Sequence, residues 1–388
     1  VAIKLQAKTE ARIVPIRFER AVTGAPDAAN PDIDDRGNVH TVPAMNSLAA
    51  SDPIRGAIVG ITKDQEITVK MVREDIDNNA DLYVTSSDEQ AVKIITPADG
   101  DKCSTGKDCK IKLKGGHFGG STPKSAKVEI RFGAKDGPII AQLSTYTFNR
   151  LLVFIQPHVV TVDDPSGSGG VAPTMNVTDV MTQVEALWAS SGVKFITKPA
   201  QSFNIKLATA NKMLWGEVND VYAKKWVANT INVYIMQEID GALGYGLSKD
   251  AHAGFGMTHP GVFMGMKSGA IDRSTETYWC ANDLAHELGH FFTLWHPTDG
   301  SGSGWQRYET WSMRFLMHNY NYTGRAGAPQ GVTEWPKFND FGYGSYGTAP
   351  YRAGLVSIKN VRTGASAGRD GQCSTVRNYI AQGPSALY

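Results

Sequence analysis

The chain has 388 residues, 41% hydrophobic and 20% charged, which supplies a sizeable core and excludes a globally disordered protein. Lys+Arg 39 against Asp+Glu 38 leaves a net charge of +1, which argues against nucleic-acid or membrane binding through bulk charge. No apolar run approaches the ~18–20 residues needed to span a bilayer, and at roughly 100–200 residues per domain the length predicts two or three domains. With 40 Gly and 18 Pro, turns and loops are many.

The chain begins at Val1 rather than Met, which reads as removal of an upstream piece. A strand-like stretch from Ala11 to Phe18 gives way to a polar, Asp- and Pro-rich segment up to about residue 50. There Asp32, Asp34, Asp35 and Gly37 lack the terminal bidentate acid of a calcium loop, so a solvated loop is expected. Between 53 and 148 the texture is β. Short β-branched runs at Glu66–Arg73, Asp81–Thr85, Val92–Thr96, Lys110–Leu113, Lys127–Phe132 and Ile139–Thr147 are separated by Gly, Pro, Asn and Asp. That spacing predicts a β-sandwich. In composition, the stretch from Asp81 to Asp88 resembles bacterial Ig-like domains.

Cys103 and Cys109 bracket a loop short enough for a disulfide at a hairpin tip, leaving Cys280 and Cys373 as a long-range pair. None has the paired CxxC spacing of zinc modules, so two disulfides and an exported protein are expected.

After 150 the pattern changes. Leu151–Val162 reads as a buried strand and Asp163–Gly170 as a connector. Val177, Val180, Met181, Val184, Leu187 and Trp188 then recur on one helical face, with Asn176 as N-cap and Gly192 as stop. Strands near Val193–Thr197, Asn204–Leu207, Thr230–Met236 and Gly261–Met266 lead to one central helix. Strands mixed with helices in this way differ from the first half, so a boundary falls near 148, dividing the chain into 1–148 and 149–388.

The central helix carries the chemistry, and Asn282 and Asp283 read as its start. At about 100° per residue, His286 and His290 stand about 40° apart and one turn from each other. That suits two imidazoles reaching one Zn²⁺. Glu287 projects beside them, placed to take a proton from metal-bound water. His296 lies six residues beyond His290, so both reach one metal only if the helix breaks after about Phe292.

His-Glu-x-x-His-x-x-x-x-x-His is similar to the ligand spacing of the metzincin zinc proteases, and the resemblance covers roughly 150–388. It implies an α+β zincin fold: a twisted mixed sheet plus an active-site helix. It further implies Zn²⁺ held by His286, His290 and His296, with Glu287 as general base. Met317 would be the floor residue of a methionine turn, with Met313 as runner-up. Tyr320 would reach the metal or the developing oxyanion, with Tyr322 as runner-up. Where metzincins place glycine at the helix break, this chain has Thr293, whose left-handed conformation costs on the order of 1 kcal/mol. Glu309 and Glu334 are the fallback third ligands, and His252 and His259 read as plain loop residues. The resemblance implies a secreted, monomeric endopeptidase acting on extracellular proteins or glycoproteins, with no nucleic-acid partner and no membrane span. A catalytically weak, zinc-containing glycoprotein-binding adhesin is the alternative. Substrate is expected along an edge strand within Gly254–Met266.

Overall fold

Alternation of buried and outward residues runs through much of the first half. In Glu66–Arg73, Ile67, Val69 and Met71 turn inward while Glu66, Thr68 and Lys70 turn outward. A strand with one apolar face must bury it against another element. In the computed structural model, two four-stranded sheets meet that need together. One has the order β1 (Ile16–Arg20), β3 (Glu66–Arg73), β6 (Asp108–Gly115), β5 (Val92–Thr96). The other has the order β2 (Ala57–Thr62), β8 (Ile139–Phe148), β7 (Lys124–Phe132), β4 (Leu82–Ser86). Phe18, Ile67, Met71, Ile111 and Leu113 of the first share a core with Val59, Ile61, Leu82, Val128 and Ile130 of the second. The expected Cys103–Cys109 disulfide is formed, with S–S 2.02 Å, and the Cys103 amide donates to the Leu82 carbonyl at 2.7 Å. The structure describes residues 16–22, 28–31, 33, 57–73, 81–103, 108–119, 124–167, 169–268, 271–272, 274–275, 277–294 and 372–387.

The second half is built on an eight-stranded mixed sheet. Its path is β10 (Val193–Thr197), β9 (Leu151–Asp163), β13 (Ile231–Ile239), β15 (Gly261–Ser268), β14 (Gly244–Leu247). β11 (Gln201–Lys206), β12 (Lys212–Met213) and β16 (Ile271–Asp272) extend it on β9, β13 and β15. β10, β9, β13 and β15 run parallel, and β14 alone on this path reverses against β15. β13 and β15 read as near-continuous apolar runs because both of their faces are covered. On one face α1 (Val177–Trp188) and α3 (Thr277–Phe291) cover Val153, Ile155, Val233, Ile235 and Met264. On the other, α2 (Val218–Lys224) covers Val160, Tyr234, Met236 and Phe263.

α1 has the predicted ends. Asn176 accepts from the amides of Thr178 and Asp179, and a 3₁₀ turn over Ala189–Ser191 closes on Gly192 at φ 75°. Two further helices, α4 (Gln372–Ala381) and α5 (Pro384–Leu387), return to the α1–α3 core with Val376, Tyr379, Ile380 and Leu387. The buried Arg377 donates from Nη1 to the carbonyls of Asn149 at 3.0 Å and Ser191 at 2.9 Å, and its guanidinium lies 4.7 Å from the Phe148 ring. The fold is α+β with strands predominating, as expected. Among the described residues, no helix is long and apolar enough to cross a membrane.

Candidate active site

α3 begins at Thr277, earlier than the Asn282/Asp283 start read from the sequence. The reason is its apolar face: Cys280, Ala281, Leu284, Ala285 and Leu288 recur at helical spacing and are fully buried. Asn282 and Asp283 are therefore interior helix residues, and both are buried.

His286 and His290 stand together as the spacing requires, their ring centroids 4.7 Å apart and the planes at 87°. Nδ1 of His290 lies 2.8 Å from the Leu294 carbonyl. A carbonyl only accepts, so Nδ1 carries the proton and the Nε2 lone pair is left for a metal.

The helix end explains that contact. The Thr293 amide donates to the His290 carbonyl and the Leu294 amide to the Gly289 carbonyl, both at 2.9 Å. These are the paired bonds of a Schellman stop, and Thr293 takes the left-handed position at φ 67°. The break falls after Phe292, as expected, and brings the Leu294 carbonyl back onto His290.

Glu287 is buried and accepts a hydrogen bond from the Gly246 amide. Burial pushes its carboxyl up to about 8, the Asp283 carboxylate one turn earlier pushes the same way, and the Gly246 amide pulls back. β14 approaches α3 this closely because it is glycine where it touches. A Cβ on Gly244 would fall 2.5 Å from Glu287 Cγ. One on Gly246 would fall 1.9 Å from the Glu287 carbonyl oxygen and 2.9 Å from His290 Cβ. Sequence reasoning passed over both residues, although Gly244-Tyr245-Gly246 was the available signal.

The expected edge within Gly254–Met266 is corrected. β15 is paired on both sides, by β13 and β14, and His252–Phe255 form a 3₁₀ turn. Among the described residues, the outer strand beside α3 is β14. The chain leaves β13, goes outward to β14 and only then returns inward to β15.

His296, Met317, Tyr320, Met313, Tyr322, Glu309 and Glu334 lie outside the described residues. Cys280 is buried with Sγ 3.8 Å from Met266 Sδ, while Cys373 is on α4 with its side chain outside the described set. His252 is held by the Lys249 carbonyl at 2.7 Å and His259 stacks on Trp226 at 4.4 Å, consistent with loop residues. Among the described residues no three His, Cys, Asp or Glu side chains converge as a metal set.

No protein-family model and no curated protein matches the chain. Among solved structures it is similar to mirolysin in complex with compound 9, at 14% identity and TM-score 0.28. It is likewise similar to Tannerella forsythia mature mirolysin in complex with a cleaved peptide, at 16% identity and TM-score 0.30. Each match covers 40% of this chain and 68% of that chain. A protein of unknown function from Porphyromonas gingivalis W83 follows at 12% identity and TM-score 0.17, covering 26% of this chain and 55% of that one. Likeness of this size assigns no activity, which must come from α3 and β14 themselves.

Proposed function

We propose that the chain is a secreted, metzincin-type zinc endopeptidase, with an Ig-like sandwich over 1–148 and a zincin-like catalytic unit over 149–388. The observation that carries the reading is one helical turn. It presents His286 and His290 side by side, with a buried Glu287 fixed by the amide of an outer strand. The two imidazoles suit zinc because His290 keeps Nε2 available. His296 completes the ligand set beyond the Thr293 reversal. Zinc, when bound, supplies the Lewis acid that polarises the scissile carbonyl.

Glu287 takes the proton of the attacking water and returns it to the leaving amine. Its buried position makes the ionised carboxylate a strong base, and the Gly246 amide holds it in one orientation. The substrate pairs with the outer edge of β14 and so crosses α3. Met317 forms the floor and Tyr320 stabilises the oxyanion. Export fits the Cys103–Cys109 disulfide. A monomer acting on extracellular proteins or glycoproteins completes the reading. An adhesin has no need of a buried carboxylate held beside two histidines, and that contact favours the enzyme.

Wild type and Glu287→Ala, both assayed for zinc, should be incubated with an unbiased peptide library and the products sequenced by mass spectrometry. Wild type should cleave, and the variant should keep zinc and lose cleavage. Equal cleavage by both, or none by zinc-loaded wild type, overturns the proposal.

A further inference from the structure

The outward face of the first sandwich sheet is more basic than a net charge of +1 leads one to expect. β6 is an inner strand, between β3 and β5. Lys110, Lys112 and Lys114 line its outward side, alternating with buried Cys109, Ile111 and Leu113. The register sets Lys70 of β3 directly across from Lys110, and Lys93 of β5 directly across from Lys114. Along β6 the lysines recur every ~6.8 Å, and their cross-strand neighbours lie about 5 Å away.

Like charges directly opposite destabilise a sheet, and here there are two such pairs. Part of the charge is compensated within the fold. Lys112 pairs with Glu66 at 2.5 Å, Glu66 itself lies across from Lys114, and Lys70 pairs with Glu19 at 2.9 Å and Asp108 at 3.9 Å. Lys93, Lys110 and Lys114 have no carboxylate within 4.0 Å among the described residues. Thr68 and Thr96 lie across from Lys112, so small hydroxyls flank the middle of the row.

We propose that this face binds a linear acidic polysaccharide laid along β6. A sulfated or uronic sugar chain carries an anion on nearly every ring, a repeat comparable with the alternate-residue spacing of the lysines. Its hydroxyls meet Thr68 and Thr96. β3, β5 and β6 present no exposed large apolar side chain of the kind that enters a bilayer. The inference does not rest on the zinc site. Occupied, the face would hold the sandwich against anionic glycans.

The test uses the full chain and heparin as the probe, with affinity measured from 0.05 to 0.5 M NaCl. The row variant is Lys110→Gln/Lys112→Gln/Lys114→Gln. A charge-matched control is Lys135→Gln/Lys206→Gln/Lys224→Gln. Wild type and control should bind at 0.15 M NaCl. The row variant should bind at least tenfold more weakly, with a salt slope lower by about 2–3. It should stay folded, because two like-charge pairs are relieved while only the exposed Lys112–Glu66 pair is lost, and its melting curve checks this. No heparin binding by wild type, equal losses in row variant and control, or stronger capture by phosphatidylserine vesicles than by heparin overturns the proposal.

Discussion

Thr293 holds a conformation that threonine avoids. At φ 67° its Cβ crowds the backbone, a strain of about 1 kcal/mol or more that glycine would not feel. Thr293→Gly should relieve it, less the entropy that glycine adds to the unfolded chain. The expected outcome is a stability gain of up to about 1 kcal/mol, read from urea unfolding. A loss would mean that the threonine side chain supports the turn. The need for a break here was legible in the His290–His296 spacing. The contact it creates was not, because a carbonyl returning to His290 Nδ1 follows from backbone hydrogen bonds rather than from side-chain identity.

At the scale of elements, the decisive pair is β14 against α3. Gly246→Ala places a methyl 1.9 Å from a helix carbonyl, and that backbone oxygen cannot yield without the strand or the helix moving. Stability should fall by about 1–3 kcal/mol. The peptide cleavage proposed for the site should fall more than tenfold as Glu287 loses its amide donor. Thermal melting and initial rates on one peptide check both, and unchanged values would separate β14 from α3 in solution. The helix and strand periods exposed most elements in the sequence, down to the Asn176 cap. They could not give sheet order, since β14 precedes β15 in the chain yet lies outside it. Nor could they show that Asn282 and Asp283, residues that favour helix starts, sit inside one, because burial of Cys280 and Ala281 carries the helix back to Thr277.

Global stability should carry the signature of a histidine far from α3. His158 is buried, stacked on Tyr234 at 4.8 Å, with Nε2 2.8 Å from Asn232 Oδ1. That oxygen also accepts from the Val227 amide at 2.9 Å, so Nε2 is the donor. Burial pushes the His158 pKa down, and the Asn232 bond opposes it only in part. Below the unfolded-state value of about 6.5 the unfolded chain therefore binds more protons than the folded one. The contribution of His158 is full above that pH and falls by up to about 1.4 kcal/mol per unit as pH drops, levelling once the folded-state pKa is passed. His158→Gln should flatten the slope of urea-unfolding free energy between pH 6.5 and 5. An unaltered slope would assign the acid sensitivity elsewhere.

The return of α4 to the α1–α3 core also sets an order in time. The sandwich has all the strands of its core once residue 148 has been made. The second core instead waits for Val376, Tyr379 and Ile380, and Arg377 reaches carbonyls 228 and 186 residues earlier in the chain. Contacts of that separation form late, and nascent chains fold from the N-terminus. On the ribosome, the helix bearing His286, Glu287 and His290 thus remains without its full packing through more than 80 further residues of synthesis. A growing chain carries an assembled sandwich long before it carries a fully packed α3.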